Sequence, residues 1–74
     1  MTSQLPAITT DAQLAATLER IRHFQAQLLK LRQAETDPAA YRLAAAGFLA
    51  ELDRMQAAVR HYLSAPASEL AASA

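Results

Sequence analysis

Apolar side chains recur every three or four residues over two long stretches of the chain, which is the spacing of one face of an α-helix. In the first stretch they are Leu14, Leu18, Ile21, Phe24, Leu28 and Leu31. In the second they are Tyr41, Ala45, Phe48, Leu52, Met55, Val59 and Tyr62. The strict alternation of four and three in the second stretch is that of a coiled-coil seam. The pattern predicts helices over about residues 10–35 and 38–63.

The predicted helix ends carry residues that satisfy free backbone groups. Thr10 stands three residues before Gln13, the spacing of a capping box, although Thr9 is an alternative cap. Between the helices, the proline of Asp37-Pro38 pushes Asp37 out of helical geometry. The Asp37 carboxylate is then placed to cap a new helix that begins at Pro38, where no amide hydrogen is needed.

The short connection requires the two helices to lie antiparallel and adjacent. Folding the chain there pairs residues whose numbers sum to roughly 73, and every apolar layer then meets an apolar layer. We predict an all-α, coiled-coil-like hairpin over 10–63, with an extended lead-in over 1–9 and a flexible tail over 64–74. The predicted hairpin core is Leu14, Leu18, Ile21, Phe24, Leu28, Leu31, Tyr41, Phe48, Leu52, Val59 and Tyr62.

Two helices cover only one stripe of each other, and several leucines fall beside that stripe. The run Ala44-Ala45-Ala46-Gly47 offers a nearly flat surface for close approach by another backbone. A second copy on the open side would form a four-helix bundle. The alternatives are a different protein partner, or single surface leucines without a role. The predicted contact surface consists of Leu29, Leu43, Ala46, Leu49 and Met55.

The composition of the chain argues against several classes of function. Seven basic side chains balance seven acidic ones, so no strong field attracts nucleic acid or an acidic membrane. The absence of cysteine excludes disulfides and thiol chemistry. No stretch has the ~18 apolar residues of a membrane span, and the first residues do not resemble a signal peptide. We expect a cytoplasmic protein that does not bind membranes.

Residues able to perform chemistry are few and scattered. The two histidines, His23 and His61, are far apart along the predicted hairpin and have no metal-ligand spacing. No glycine-rich loop and no nucleophile–base set accompany them. We therefore expect no enzyme activity, no metal or other cofactor and no small-molecule substrate. Helix 1 is mildly basic through Arg20, Arg22, His23, Lys30 and Arg32, which favours a solvated surface over a phosphate-binding face.

The order of features resembles a known architecture. Ile8-Thr9-Thr10 leads into the first helix, Asp37-Pro38 forms the loop, and His61-Tyr62-Leu63 closes the second helix. This resembles the N-terminal hairpin that precedes the helix-turn-helix in small bacterial and phage regulators of the antitoxin type. The chain ends eleven residues after Leu63, so the resemblance implies a hairpin without the DNA-reading domain, and no DNA-contacting residue is carried over.

These observations predict a small helical protein–protein interaction module. It would self-associate, or mask a surface of a partner protein as an inhibitor, an adaptor or an antitoxin-like regulator. The alternative hypothesis is a nucleic-acid-binding transcriptional regulator that uses the basic face of helix 1.

Overall fold

The computed structural model describes residues 7–68, in which helices α1 (Asp11–Ala34) and α2 (Pro38–Ser64) pack as an antiparallel hairpin. This confirms the predicted all-α fold, with helix ends within one residue of those predicted. The outer parts of the predicted lead-in and tail, residues 1–6 and 69–74, lie outside the described residues.

The caps at the two helix starts are made by the residues that the sequence indicates. Thr10 is the N-cap of α1, and its hydroxyl accepts a hydrogen bond from the Gln13 amide at 3.1 Å. The Gln13 side chain reaches back one residue further than a capping box requires, and accepts from the Thr9 amide at 2.7 Å. Asp37 caps α2, because its carboxylate accepts from the Ala40 amide at 2.9 Å.

The register of the two helices follows the predicted pairing. Ile21 and Leu52, whose numbers sum to 73, belong to the same buried cluster. The Phe24 and Phe48 rings meet edge to face, with centroids 5.7 Å apart. Residues on the two helices whose numbers sum to about 73 therefore lie at the same height along the hairpin.

The core consists of two clusters along the seam. The central cluster buries Ile21, Leu52 and Met55 against the partly buried Phe24, Leu28 and Val59. The second, at the open end of the hairpin, buries Ile8, Ala58 and Tyr62 against Leu14 and Val59. Ile8 thus brings the lead-in back onto the helices, which the sequence did not predict because the lead-in has no periodicity.

Leu18 was predicted to be in the core, and this is wrong. Its side chain is 42% exposed, while the neighbouring Thr17 is partly buried. The heptad that runs through Ile21 and Leu28 places residue 17 in the seam and residue 18 beside it. The Thr17 hydroxyl is satisfied there, because it donates to the Gln13 carbonyl at 2.8 Å.

Two other expectations also need correction. Met55 was assigned to the contact surface, but it is 1% exposed and belongs to the central cluster. The run Ala44 to Gly47 does not form one flat surface, since Ala45 is fully buried between the helices. Ala46 faces outward from one edge of α2, while Ala44 and Gly47 line a groove on the other side of the hairpin.

Candidate interaction surface

The hairpin has two sides, which the heptad positions a to g distinguish. The a positions are in the seam on both helices: Leu14, Ile21 and Leu28 on α1, and Ala45, Leu52 and Val59 on α2. In an antiparallel pair, the g positions of both helices border one side of the seam and the e positions border the other. The structure can therefore be described one side at a time.

The g positions form what we call the groove side. A groove of about 500 Å³ lies over the Phe24 and Phe48 rings, and Arg20 and Glu51 stand at its two edges. Gly47 contributes open space, since a side-chain carbon there would meet nothing within 4 Å. A smaller recess of about 210 Å³ continues from Arg20 to the lead-in at Ile8. The lead-in therefore occupies part of the groove side.

The e positions, with the b positions outside them, form what we call the leucine side. Along the hairpin, from its open end towards the loop, the exposed leucines of this side come alternately from α2 and α1. In that order they are Leu63, Leu18, Leu49 and Leu29, with exposures of 64%, 42%, 47% and 54%. Of the predicted contact residues, this side brings together Leu29, Leu49 and Ala46.

Leu43 does not belong to this surface. It is 82% exposed and lies at an f position, on the part of α2 that faces away from α1. The sequence grouped Leu43 with Leu29 and Leu49 because all three fall outside the seam. Leu18 was missed as a surface residue because it fits the apolar spacing as well as Thr17 does.

The leucine side also carries charged residues: Arg32 and Arg42 lie at e positions near the loop, and others lie at its outer edges. Arg22 on α1 and Asp53 on α2 occupy b positions at nearly the same height, on the two outer edges. Arg22 also donates to the Glu19 carboxylate at 2.8 Å, an exposed pair within one turn of α1. On the opposite side, Arg54 donates to Glu51.

The open end of the hairpin carries one long-range polar contact. The Tyr62 hydroxyl donates to the Asp11 carboxylate at 2.6 Å, joining the end of α2 to the start of α1. This hydrogen bond, with the burial of the ring and the negative charge of Asp11, raises the pKa of Tyr62 above its usual value. Sequence periodicity predicts that the Tyr62 ring is buried, but it does not predict the hydrogen bond to Asp11.

The basic residues of α1 are not gathered on one face. At about 100° per residue, Arg20 and Arg22 are ~200° apart around the helix. Lys30 and His23 point away from α2, and Arg32 lies at an e position near the loop. Such a distribution gives no single strip of positive charge that would follow a phosphate backbone.

Residues 7–68 contain no group of three or more His, Asp or Glu side chains arranged to hold a metal ion. Neither α1 nor α2 is long and apolar enough to cross a membrane. Comparison of the chain with models of known families, with curated proteins and with solved structures gave no match.

Proposed function

We propose that this chain is a small helical protein–protein interaction module that self-associates through the leucine side. One observation carries the proposal. Four of the five large hydrophobic side chains that are exposed in the described residues lie on this one side. Single exposed leucines are ordinary on a protein surface, but four gathered on one side of a small hairpin favour a surface that another molecule covers.

The size of the leucine side fits a protein interface. α1 has 24 residues, which gives a length of about 36 Å. Two helices side by side are about 20 Å wide, so the side covers roughly 700 Å². A standard interface buries ~800 Å² on each partner. The whole side, and not a part of it, would therefore take part in binding.

The thin core of the hairpin also supports an obligatory partner. Seven hydrophobic residues are buried in the described part, and two of them are alanines that bury little area. Domains of this size need additional stabilisation, and the sequence has no disulfide to supply it. Association would bury a second apolar layer and convert the hairpin into a four-helix bundle.

A role as an inhibitor, an adaptor or an antitoxin-like regulator fits the same mechanism, because a helical face that covers its own copy can also cover a surface of another protein. The alternative, a nucleic-acid-binding regulator, has less support. Its basic residues are spread around α1, and the net charge of the chain is zero.

Sedimentation equilibrium of the full chain tests self-association. We expect a mass of at least a dimer at micromolar concentration, where apolar interfaces of this size commonly bind. A monomeric mass at ~100 μM, with full helicity by circular dichroism, would reject self-association and leave the leucine side to a different protein.

A further inference from the structure

The groove side offers a second apolar surface, separate from the leucine side. The half-buried rings of Phe24 and Phe48 form its floor, and the groove between α1 and α2 has a volume of about 500 Å³. We infer that this groove binds a short amphipathic helix of another protein, with acidic residues beside the apolar stripe of that helix. The inference goes beyond the proposed self-association and does not depend on it.

The length of the free groove sets the size of the partner. The lead-in covers the open end of this side through Ile8. The groove then extends from Arg20 to Ala44, which is level with residue 29 of α1. Nine helical residues span about 14 Å, so this space fits two to three turns of a helix. The helices of a second copy, with 24 and 27 residues, are more than twice as long as this space and fit it poorly.

The walls of the groove determine the form of the partner. Both walls are α-helices, whose interior backbone groups already form hydrogen bonds within each helix. They offer no strand edge with which an extended peptide could pair. A helical segment satisfies its own backbone and needs only side-chain contacts from the groove. Apolar residues at positions i, i+4 and i+7 of such a helix would lie along the aromatic floor.

Gly47 leaves room for this helix beside the aromatic floor. Its φ is not positive, and a side-chain carbon on it would meet nothing within 4 Å. Neither the backbone nor the packing of the hairpin therefore requires glycine, which is a poorer helix former than alanine. Together with Ala44, one turn away, Gly47 allows a partner helix to approach α2 closely.

The charges of the groove side favour an acidic partner. The charged residues at its g and c positions are Arg20, Lys30, Glu51 and Arg54. Glu51 is paired with Arg54, whereas neither Arg20 nor Lys30 makes a salt bridge within residues 7–68. Three positive charges thus stand against one negative charge that is already paired. Carboxylates of a partner are attracted to such a surface.

Other titratable groups do not change this balance. His23 and His61 lie at c positions of the groove side and can only add positive charge. Glu35 and Asp37 are in the loop beyond the groove, where their carboxylates accept hydrogen bonds from backbone amides. The other acidic residues of the described part are at e, f and b positions, outside the groove side: Asp11, Glu19 and Asp53.

Two pools of helical peptides, matched except in charge, test the kind of partner. Each peptide is alanine-based and about 18 residues long, so that it is helical in water, and carries Leu or Phe at i, i+4 and i+7. The acidic pool has Asp or Glu beside this stripe, and the basic pool has Lys or Arg. We expect the full chain at ~50 μM to retain the acidic pool about tenfold more than the basic pool. Equal retention of the two pools, or retention of neither, would overturn the inference.

The site is tested by filling the open space at Gly47. Gly47→Leu should reduce retention of the acidic pool about tenfold or more, whereas Ala50→Leu, at an outward f position, should leave it within about twofold. Gly47→Ala should raise the Tm of the free protein by roughly 4 °C, because alanine is the better helix former and has room there. Circular dichroism shows whether each variant is folded. Unchanged retention by folded Gly47→Leu would reject the groove as the site.

The contribution of charge is tested at Arg20. Arg20→Glu leaves two positive and two negative charges on the groove side, so it should remove the preference for the acidic pool. Arg60→Glu makes the same change at a b position on the leucine side and should keep the preference. A preference that survives Arg20→Glu would contradict the assignment of an acidic partner.

Two other occupants of the groove give distinct results. If Gly47→Leu lowers the mass found by sedimentation equilibrium below that of the wild type, a second copy fills the groove. If the peptide pools bind only after residues 1–6 are removed, that segment of the chain fills it. Either result would overturn the inference, whereas a monomeric wild type would reject only the proposed self-association.

Discussion

Tyr62 shows how one residue joins two distant parts of the chain. Its ring is buried with Ile8 and Ala58, and its hydroxyl donates to Asp11 at 2.6 Å. The hydrogen bond is available only while the phenol is protonated. Because folding raises the pKa of Tyr62 above its usual value of about 10, its contribution to stability is present below that pH. The contribution is lost as the pH rises through the pKa of the folded state.

Replacing Tyr62 by Phe tests this dependence. Tyr62→Phe keeps the buried ring but removes the donor, so we expect it to destabilise the protein at pH 7 and to have a smaller effect at a pH above the raised pKa of Tyr62. Urea unfolding followed by circular dichroism at both pH values gives the comparison. Tyr41→Phe, at the loop end, is the matched control. An effect of Tyr62→Phe that is equal at both pH values would contradict a role for the hydrogen bond.

At single positions, the sequence could predict most of the seam but not every residue in it. The seam of α2 is unambiguous, and Leu52 and Tyr62 are buried as expected. In α1, Thr17 and Leu18 both fit the helical spacing of the seam. Hydrophobicity favours Leu18, but the residue in the seam is Thr17. The burial of Ala58 could not be read from periodicity, because Ile8 covers it from outside the helices.

The two helices and the lead-in differ in how well local sequence defines them. Thr10 and Asp37 cap amides three residues away, so the signals for the helix starts are local. The lead-in takes its position from Ala58 and Tyr62, which lie about 50 residues further along the chain. A pattern within a short window cannot show such a contact, and the segment was therefore predicted to be extended without a packing role.

The packing of the lead-in can be measured through Ile8. Ile8→Ala removes a buried side chain from the cluster at the open end, and we expect a loss of about 2 kcal/mol in the free energy of unfolding. The value is at the low end for such substitutions because the cluster is small and can partly collapse. Urea unfolding provides the measurement. Leu43→Ala, at an exposed position, should change stability by less than about 0.5 kcal/mol. Equal effects of the two substitutions would show that the lead-in contributes nothing.

At the scale of the molecule, the described hairpin caps the starts of both helices but leaves apolar surface open. The chain's hydrophobic residues are numerous, yet many are alanines, and five leucines stay exposed in the described part. The sequence could predict that leucines would remain outside the seam. It could not predict which of them share a surface, because that depends on how the e and b positions of one helix combine with those of the other. The positions of both helices show that Leu18 belongs to this surface and that Leu43 does not.

If folding and association are coupled, thermal stability must depend on protein concentration. A tenfold increase in concentration favours a folded dimer over two unfolded chains by about 1.4 kcal/mol, or ~0.7 kcal/mol per chain. For a domain of this length, that corresponds to a rise in Tm of about 3–6 °C. Melting followed by circular dichroism from ~5 to ~500 μM covers two such steps. Leu49→Glu should melt lower and lose the dependence, whereas Leu43→Glu should retain it. A wild-type Tm that stays constant over this range, with a cooperative transition, would show that the two helices and the lead-in suffice for folding.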